Sequence, residues 1–255
     1  MPLKIITIPC LDDNYAFLIN DEATGTTALI DAPDAAPILA ELRKQDWDLD
    51  QIWLTHHHND HIDGVAELLA SHTATVTGAR ADTHRLPPLD QSVADGDRFT
   101  FAGHDVQILD VSGHTVGHIA FYVPDAGAVF TADSLMALGC GRLFEGTPAQ
   151  MWQSLQKLMA LPQDTLVCSG HEYTSANAKF ALTIDPDNPA LISRSGEIDA
   201  ARAANRPTVP SILRHELDTN PFLRASNPDI RARLGMTTAS DAEVFKEIRA
   251  RKDAF

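Results

Sequence analysis

Several short apolar stretches in the first 172 residues run straight into a histidine or an aspartate. IWLT leads into HHHNDH at 56–61, DVQILDVSG into His114, GAVFTA into Asp133, and TLVCSG into His171. Such stretches, rich in β-branched and aromatic residues and bounded by Gly, Asp or Pro, are the signature of strands. Strands that lie side by side bring their C-terminal ends together. This habit therefore constrains the chain to a sheet scaffold whose edge gathers ligand-type side chains in loops.

The remaining segments extend that picture. LKIITIP, YAFLIN, TTALIDAP, TATVTG, RFTFAG and HIAFYVP are further strand candidates. PDAAPILAELRKQ, HIDGVAELLASH and PAQMWQSLQKLMA carry apolar residues at helical spacing. Beyond residue 172 the candidates are all helices: YTSANAKFALTI, GEIDAARAANR, VPSILRHELD and SDAEVFKEIRARKD. Pro-Asp-Asn-Pro, Asn-Pro-Phe and Asn-Pro-Asp punctuate them. The pattern predicts a β-rich α/β (α+β) body over residues 1–172 and a helical domain over 173–255.

The cluster at 56–61 has the spacing of a metal site. In extended chain, residues two apart point the same way, so His56 and His58 can reach one ion while His57 points elsewhere. Asp60 and His61 follow as the chain turns into a helix, and suit a second ion. Adding His114 to the first set and His171 to the second gives each ion three protein ligands, and Asp133 has two oxygens with which to bridge them. Imidazole and carboxylate donors without thiolate suit zinc, iron or manganese. Two such ions about 3.5–4 Å apart make a bridging hydroxide available at neutral pH and polarise a carbonyl or phosphoryl oxygen. A hydrolase is the expectation. His57, His72, His84, His104 and His215 are expected to be structural or solvated, and His118 to pack behind the ligands.

Composition narrows the partners. A hydrophobic content of 44% with 22% charged residues is that of an ordinary globular protein. A formal net charge of −15 argues against nucleic acid and acidic membrane surfaces. It also means that an anionic substrate needs a local cluster of Lys or Arg, and EIRARKDAF at the C-terminus supplies one. Cys10, Cys140 and Cys168 are far apart with no CxxC, which suggests neither a disulfide framework nor a thiolate zinc site. No secretory signal pattern is apparent in MPLKIITIPCLDDNY and no apolar run is long enough to span a bilayer, so a cytoplasmic protein is expected.

THHHNDH resembles the THxHxDH signature of the metallo-β-lactamase superfamily, with GHT at 113–115, FTADSL and SGHEYT matching its later motifs in order. A closer similarity is to glyoxalase II, the hydroxyacylglutathione hydrolases. It runs through IPCLDDNYAFLI, GCGRLFEGTPAQMWQSL, CSGHEYT and TVPSILRHELDTNPFLR. The resemblance implies an αββα sandwich with a C-terminal helical domain. It assigns His56, His58 and His114 to the first ion, Asp60, His61 and His171 to the second, and Asp133 to both. It implies that Arg142, Phe144, Tyr173, Arg249 and Lys252 hold glutathione; Phe144 stands where some relatives have tyrosine.

The activity so implied is hydrolysis of S-D-lactoylglutathione to D-lactate and glutathione, the second step of methylglyoxal detoxification. Two divalent ions, most simply zinc, serve it in a monomer. Asp60 and Asp133 are the catalytic carboxylates. The alternative is another hydrolase of the same superfamily acting on a different thioester or a lactone, since the metal machinery would be unchanged. Catalysis by Cys140 or Cys168 is disfavoured because neither has a separate, oriented base.

Overall fold

The computed structural model describes residues 3–255, and within it the chain divides into two compact units. One comprises everything up to Asp110 together with Val116–Ala132. The other comprises Val111–Thr115 with Asp133–Phe255.

In the first unit, β1 (Leu3–Cys10) and β2 (Asn14–Asp21) form an antiparallel hairpin, and β3 (Thr26–Ile30) pairs antiparallel with β2. Helix α1 (Ala35–Gln45) starts where the Asp34 side chain accepts the Ala36 N–H, and it ends on Asp46 in the left-handed region. After it, β4 (Gln51–Leu54) adds parallel to β3 with Ile30 opposite Trp53. Short helices α2 (Asn59–Ile62) and α3 (Val65–Ser71) precede β5 (Thr75–Ala79) and β6 (Gln91–Val93), which continue the parallel half of the sheet. Parallel pairing puts the C-terminal ends of β3 and β4 on the same edge, where β3 exits into Asp31 and β4 into the candidate ligands of residues 56–61.

A second layer in this unit is an antiparallel meander of β7 (Arg98–Phe101), β8 (His104–Asp110), β9 (Ile119–Val123) and β10 (Ala128–Ala132). The two layers pack face to face through aromatic rings. Trp53 of β4 meets Phe99, Phe101 and Phe121 with centroids 5.3–5.4 Å apart, and Phe17 of β2 meets Phe130 of β10 at 5.7 Å. Trp53 is completely buried, and truncating such a residue to alanine costs about 3–5 kcal/mol.

The second unit contains the hairpin of β11 (Leu135–Met136) and β12 (Gly139–Cys140), helix α4 (Pro148–Met159) and strand β13 (Leu166–Ser169). Helices α5 (Thr174–Ile184) and α6 (Pro189–Ala203) follow, then β14 (Ser211–Ile212), paired with β13, and α7 (Leu213–Thr219), α8 (Pro228–Leu234) and α9 (Asp241–Asp253). Thr147 with Gln150, and Ser240 with Glu243, form capping boxes that set the starts of α4 and α9. α5 and α6 bury Ala178, Ala181, Leu191 and Ile198 against Leu138.

Four expectations need correcting. The segment HIDGVAELLASH is not one helix: α2 and α3 are separated at Asp63–Gly64, because Gly64 sits against the loop after β3. A Cβ there would lie 2.9 Å from both Ala32 O and Ala35 N. The helix expected at 196–206 begins earlier, at Pro189, capped by the side chain of Asn188. VPSILRHELD opens with a short strand before α7, and α8 occupies a segment expected to be only a break.

Candidate metal centre

β4 leads out of the sheet through Thr55 to His56 and His58, whose ring nitrogens Nε2 and Nδ1 are 3.1 Å apart. His56 is fully buried, its Nδ1 is 3.0 Å from the Thr55 hydroxyl, and its other face stacks on His118 at 4.5 Å and 11°. His118 is thus a packing residue behind His56, with its own Nδ1 against the Ile119 carbonyl. His57 turns away, to the buried Asp82 at 3.1 Å. His72 and His104 pair with Asp48 and Asp125.

Asp60 and His61 lie on α2, with His61 Nε2 3.8 Å from Asp60 Oδ2. Two further residues, Asn14 and Asp31, position them. Asn14 donates its side-chain N–H to both Asp60 Oδ2 and the Asp60 carbonyl at 3.0 Å. Asp31 takes Nδ1–H of His61 at 2.8 Å, together with the N–H and hydroxyl of Thr55 at 2.9 and 2.8 Å. A carboxylate on Nδ1 fixes the tautomer and makes Nε2 the nitrogen that could ligate a metal. Asp31 and His61 fall with His56 in a group whose donor atoms lie within 4.8 Å. Asp31 accepts three donors, and these contacts orient His61 and Thr55. Asp31 follows strand TTALI as the candidate ligands follow theirs, but its orienting role depends on partners 24 and 30 residues away.

In the second unit His114, Asp133 and His171 converge. His114 Nε2 is 3.4 Å from Asp133 Oδ2, and His171 Nε2 is 3.3 Å from Asp133 Oδ1. Each carboxylate oxygen faces a different imidazole, the arrangement a bridging ligand requires. His114 donates Nδ1–H to the Arg142 carbonyl at 2.8 Å, which leaves Nε2 turned to Asp133. Ligands at 2.0–2.1 Å around a tetrahedral zinc are separated by about 3.3 Å. The contacts of His56 with His58, His114 with Asp133 and His171 with Asp133 all have that spacing, so the donor sets fit divalent ions.

Gly141 brings the GCGR segment against Asp133. A Cβ there would lie 1.9 Å from the Asp133 carbonyl, so no side chain is tolerated. The hairpin between Asp133 and Gly141 is held by buried polar groups from three helices. Asn177 donates to Ala137 O, Asn220 to Met136 O and Gly139 O, and Arg249 to Cys140 O, while Glu216 accepts the Leu138 N–H at 2.8 Å. Leu138 has φ +55°, a conformation that costs about 1–3 kcal/mol and persists only where its surroundings impose it.

Against this hairpin lies a cavity of about 350 Å³ lined by His114, Asp133, Arg142, Tyr173, Arg249 and Lys252 among others. Tyr173 stacks on His171 at 4.7 Å and 7°, and the exposed ring of Phe144 stands edge-on to His114 at 5.2 Å. Arg249 is buried: it binds Cys140 O at 2.9 Å and Asp253 at 2.9 Å, and lies over the Phe222 ring. Lys252 rests on Phe180 and Phe255. Burial lowers the pKa of Lys252, as does the Arg249 charge, while Asp253 opposes the shift. A cavity with metal-type ligands at one end and three cations along its walls suits a substrate whose reacting carbonyl and remote anion lie on one molecule.

Two layers of sheet with ligands at strand ends define the metallo-β-lactamase class, and the profile described as Metallo-beta-lactamase superfamily matches residues 11–171. The profile described as Hydroxyacylglutathione hydrolase C-terminus matches residues 172–255. Proteins named hydroxyacylglutathione hydrolase from Ruegeria pomeroyi and Roseobacter denitrificans are each 67% identical over 255 residues, covering 100% of both chains. One from Brucella anthropi is 53% identical over 99% of this chain and 97% of its own. The chain belongs to the hydroxyacylglutathione hydrolase family. Among solved structures, the B3 metallo-β-lactamase BLEG-1 shares the fold with a TM-score of 0.68 at 19% identity, covering 86% of this chain and 99% of its own. TTHA1623 in a di-iron-bound form has a TM-score of 0.57 at 28% identity, covering 66% and 91%. The fold class is the αββα sandwich with a helical C-terminal part. No helix among the described residues is long and apolar enough to cross a membrane.

Proposed function

We propose that the chain hydrolyses S-(2-hydroxyacyl)glutathione, with S-D-lactoylglutathione as the reference substrate, to D-lactate and glutathione in methylglyoxal detoxification. The observation that carries this is the cavity that joins His114 and Asp133 to Arg142, Tyr173, Arg249 and Lys252. The full-length relatives bear the name of this activity.

In this reading His56, His58 and His114 hold one divalent ion, Asp60, His61 and His171 hold another, and Asp133 serves both. The ions are zinc, with iron or manganese suited to the same donors. When bound, such a pair ionises water at neutral pH and polarises the thioester carbonyl. Asp60, steadied at Oδ2 by Asn14, orients the attacking water. Asp31 and the Arg142 carbonyl keep His61 and His114 in the tautomers that face the reaction. Arg142, Phe144, Tyr173, Arg249 and Lys252 receive the glutathione moiety. A thiol of pKa about 8.5 departs as thiolate, so no side chain need protonate it. Residues 1–172 carry the metal chemistry and 173–255 complete the substrate site, in a cytoplasmic monomer.

The test is steady-state hydrolysis of S-D-lactoylglutathione by the metal-loaded chain beside Asp60→Ala, with metal content measured in both. Efficient turnover that collapses in Asp60→Ala supports the assignment. Negligible turnover by a fully loaded wild type, with hydrolysis of lactones instead, would replace it with the lactonase alternative.

A further inference from the structure

Asp253 is poorly placed for the helix that carries it. It is the last residue of α9, where the macrodipole disfavours an anion. Its pairing with Arg249 at i,i+4 has the cation N-terminal to the anion, the weaker orientation. Yet one of its oxygens serves two pocket cations: Oδ1 is 2.9 Å from Arg249 and 3.6 Å from Arg142 Nε. Its side chain is 41% exposed while that of Arg249 is 7% exposed, so the carboxylate lies on the solvent side of a buried guanidinium. Arg142 and Arg249 both line the cavity. An entering carboxylate therefore meets a cation pair that already holds one.

We propose that Asp253 is an internal counter-carboxylate, competing with the glycine carboxylate of glutathione for the Arg142–Arg249 pair. This rests on the glutathione-thioester reading above. Its consequence is specificity tuning: Asp253 holds the affinity for glutathione below what three cations would give, so that the product leaves, and it screens out weak anions. A carboxylate that reaches the pair displaces Asp253 towards solvent, with no bond made or broken.

The test compares metal-loaded wild type with Asp253→Asn by calorimetric binding of glutathione and of its glycine monoethyl ester, which lacks the competing carboxylate. Hydrolysis of S-D-lactoylglutathione is recorded in parallel. Removing one partly exposed competitor should tighten glutathione about two- to fivefold and lower KM in step. Ester affinity should stay unchanged. A merely structural Asp253 would instead lower Tm and weaken both ligands, and Asp253→Glu should restore wild-type values if the carboxylate is what matters. Equal or weaker glutathione binding in a folded, metal-loaded Asp253→Asn overturns the inference, as does equal tightening of glutathione and ester. Absence of turnover in the wild type overturns the underlying reading, and the inference with it.

Discussion

Asp31 Oδ2 lies 2.8 Å from Nδ1 of His61, and both side chains are buried. The strand ending at Ile30 and the helix carrying His61 are thereby locked at the point where Nε2 must be presented. Loss of a carboxylate behind a ligating histidine lowers metal affinity about 10–100-fold. Asp31→Ala should bind the more weakly held ion with a loss of that size, read by chelator competition and metal analysis. Asp31→Asn should fall between, because its amide still accepts one hydrogen bond. Unaltered metal affinity in a folded Asp31→Ala would remove Asp31 from the site.

The carboxylate of Glu216 is completely buried and takes the Leu138 N–H, the Asn220 amide and the Arg194 guanidinium. Removing it leaves the buried Leu138 N–H without an acceptor and takes the anion from the partly buried Arg194, and breaking a buried pair costs about 3–5 kcal/mol. Glu216→Ala should lower the thermal midpoint by roughly 10 °C, at about 2–4 °C per kcal/mol for a chain of this size. Glu216→Gln keeps an acceptor for Leu138 and should lose less. Identical midpoints for Glu216→Ala and wild type would show that the hairpin does not depend on this anchor.

The elements that were legible before the structure are those with a local signal. Each apolar run ending in His or Asp is a strand, and all seven residues named as ligands lie at strand ends or on the helix that follows. Asn14 and Asp31 escaped notice because their roles arise from pairing between distant segments: Asn14 reaches residue 60, and parallel pairing of β3 with β4 brings Asp31 beside Thr55. The Asn-Pro steps at 188–189 and 227–228 resembled breaks. Each is instead a helix start, with Asn as the cap and Pro at the first helical position. The two-residue strands β11, β12 and β14 carry no local pattern. The β11–β12 hairpin owes its shape to side chains contributed some 40 to 110 residues away.

Cys10, Cys140 and Cys168 are buried thiols. Desolvation pushes the first two up to about 11 and Cys168 higher still, despite Arg249 beside Cys140. The thiolate is the nucleophile, so neutral pH leaves none of them reactive. Iodoacetamide at pH 7.5 should leave all three unmodified by mass spectrometry, and Cys168→Ala should retain turnover. Rapid alkylation coupled to loss of activity would revive a cysteine mechanism.

Lys252 gives the pocket a pH limit. Desolvation and the neighbouring Arg249 hold its pKa below the usual lysine value near 10.4, while Asp253 acts in the opposite sense. A lysine is cationic below its pKa, so the attraction for an anionic thioester is complete at neutral pH and is lost as pH rises through this lowered value. The same depression means that burying the charge costs some stability at neutral pH, a cost that fades over that alkaline interval. In the wild type, KM should therefore climb on the alkaline side before free lysine would titrate, while kcat does not follow the same curve. Lys252→Met should have a raised KM at pH 7 and lack that climb, with metal content intact. If Lys252→Met kept the wild-type KM and the same alkaline rise, the half-buried ammonium would not be a substrate contact, and Arg142 and Arg249 alone would bind the anion.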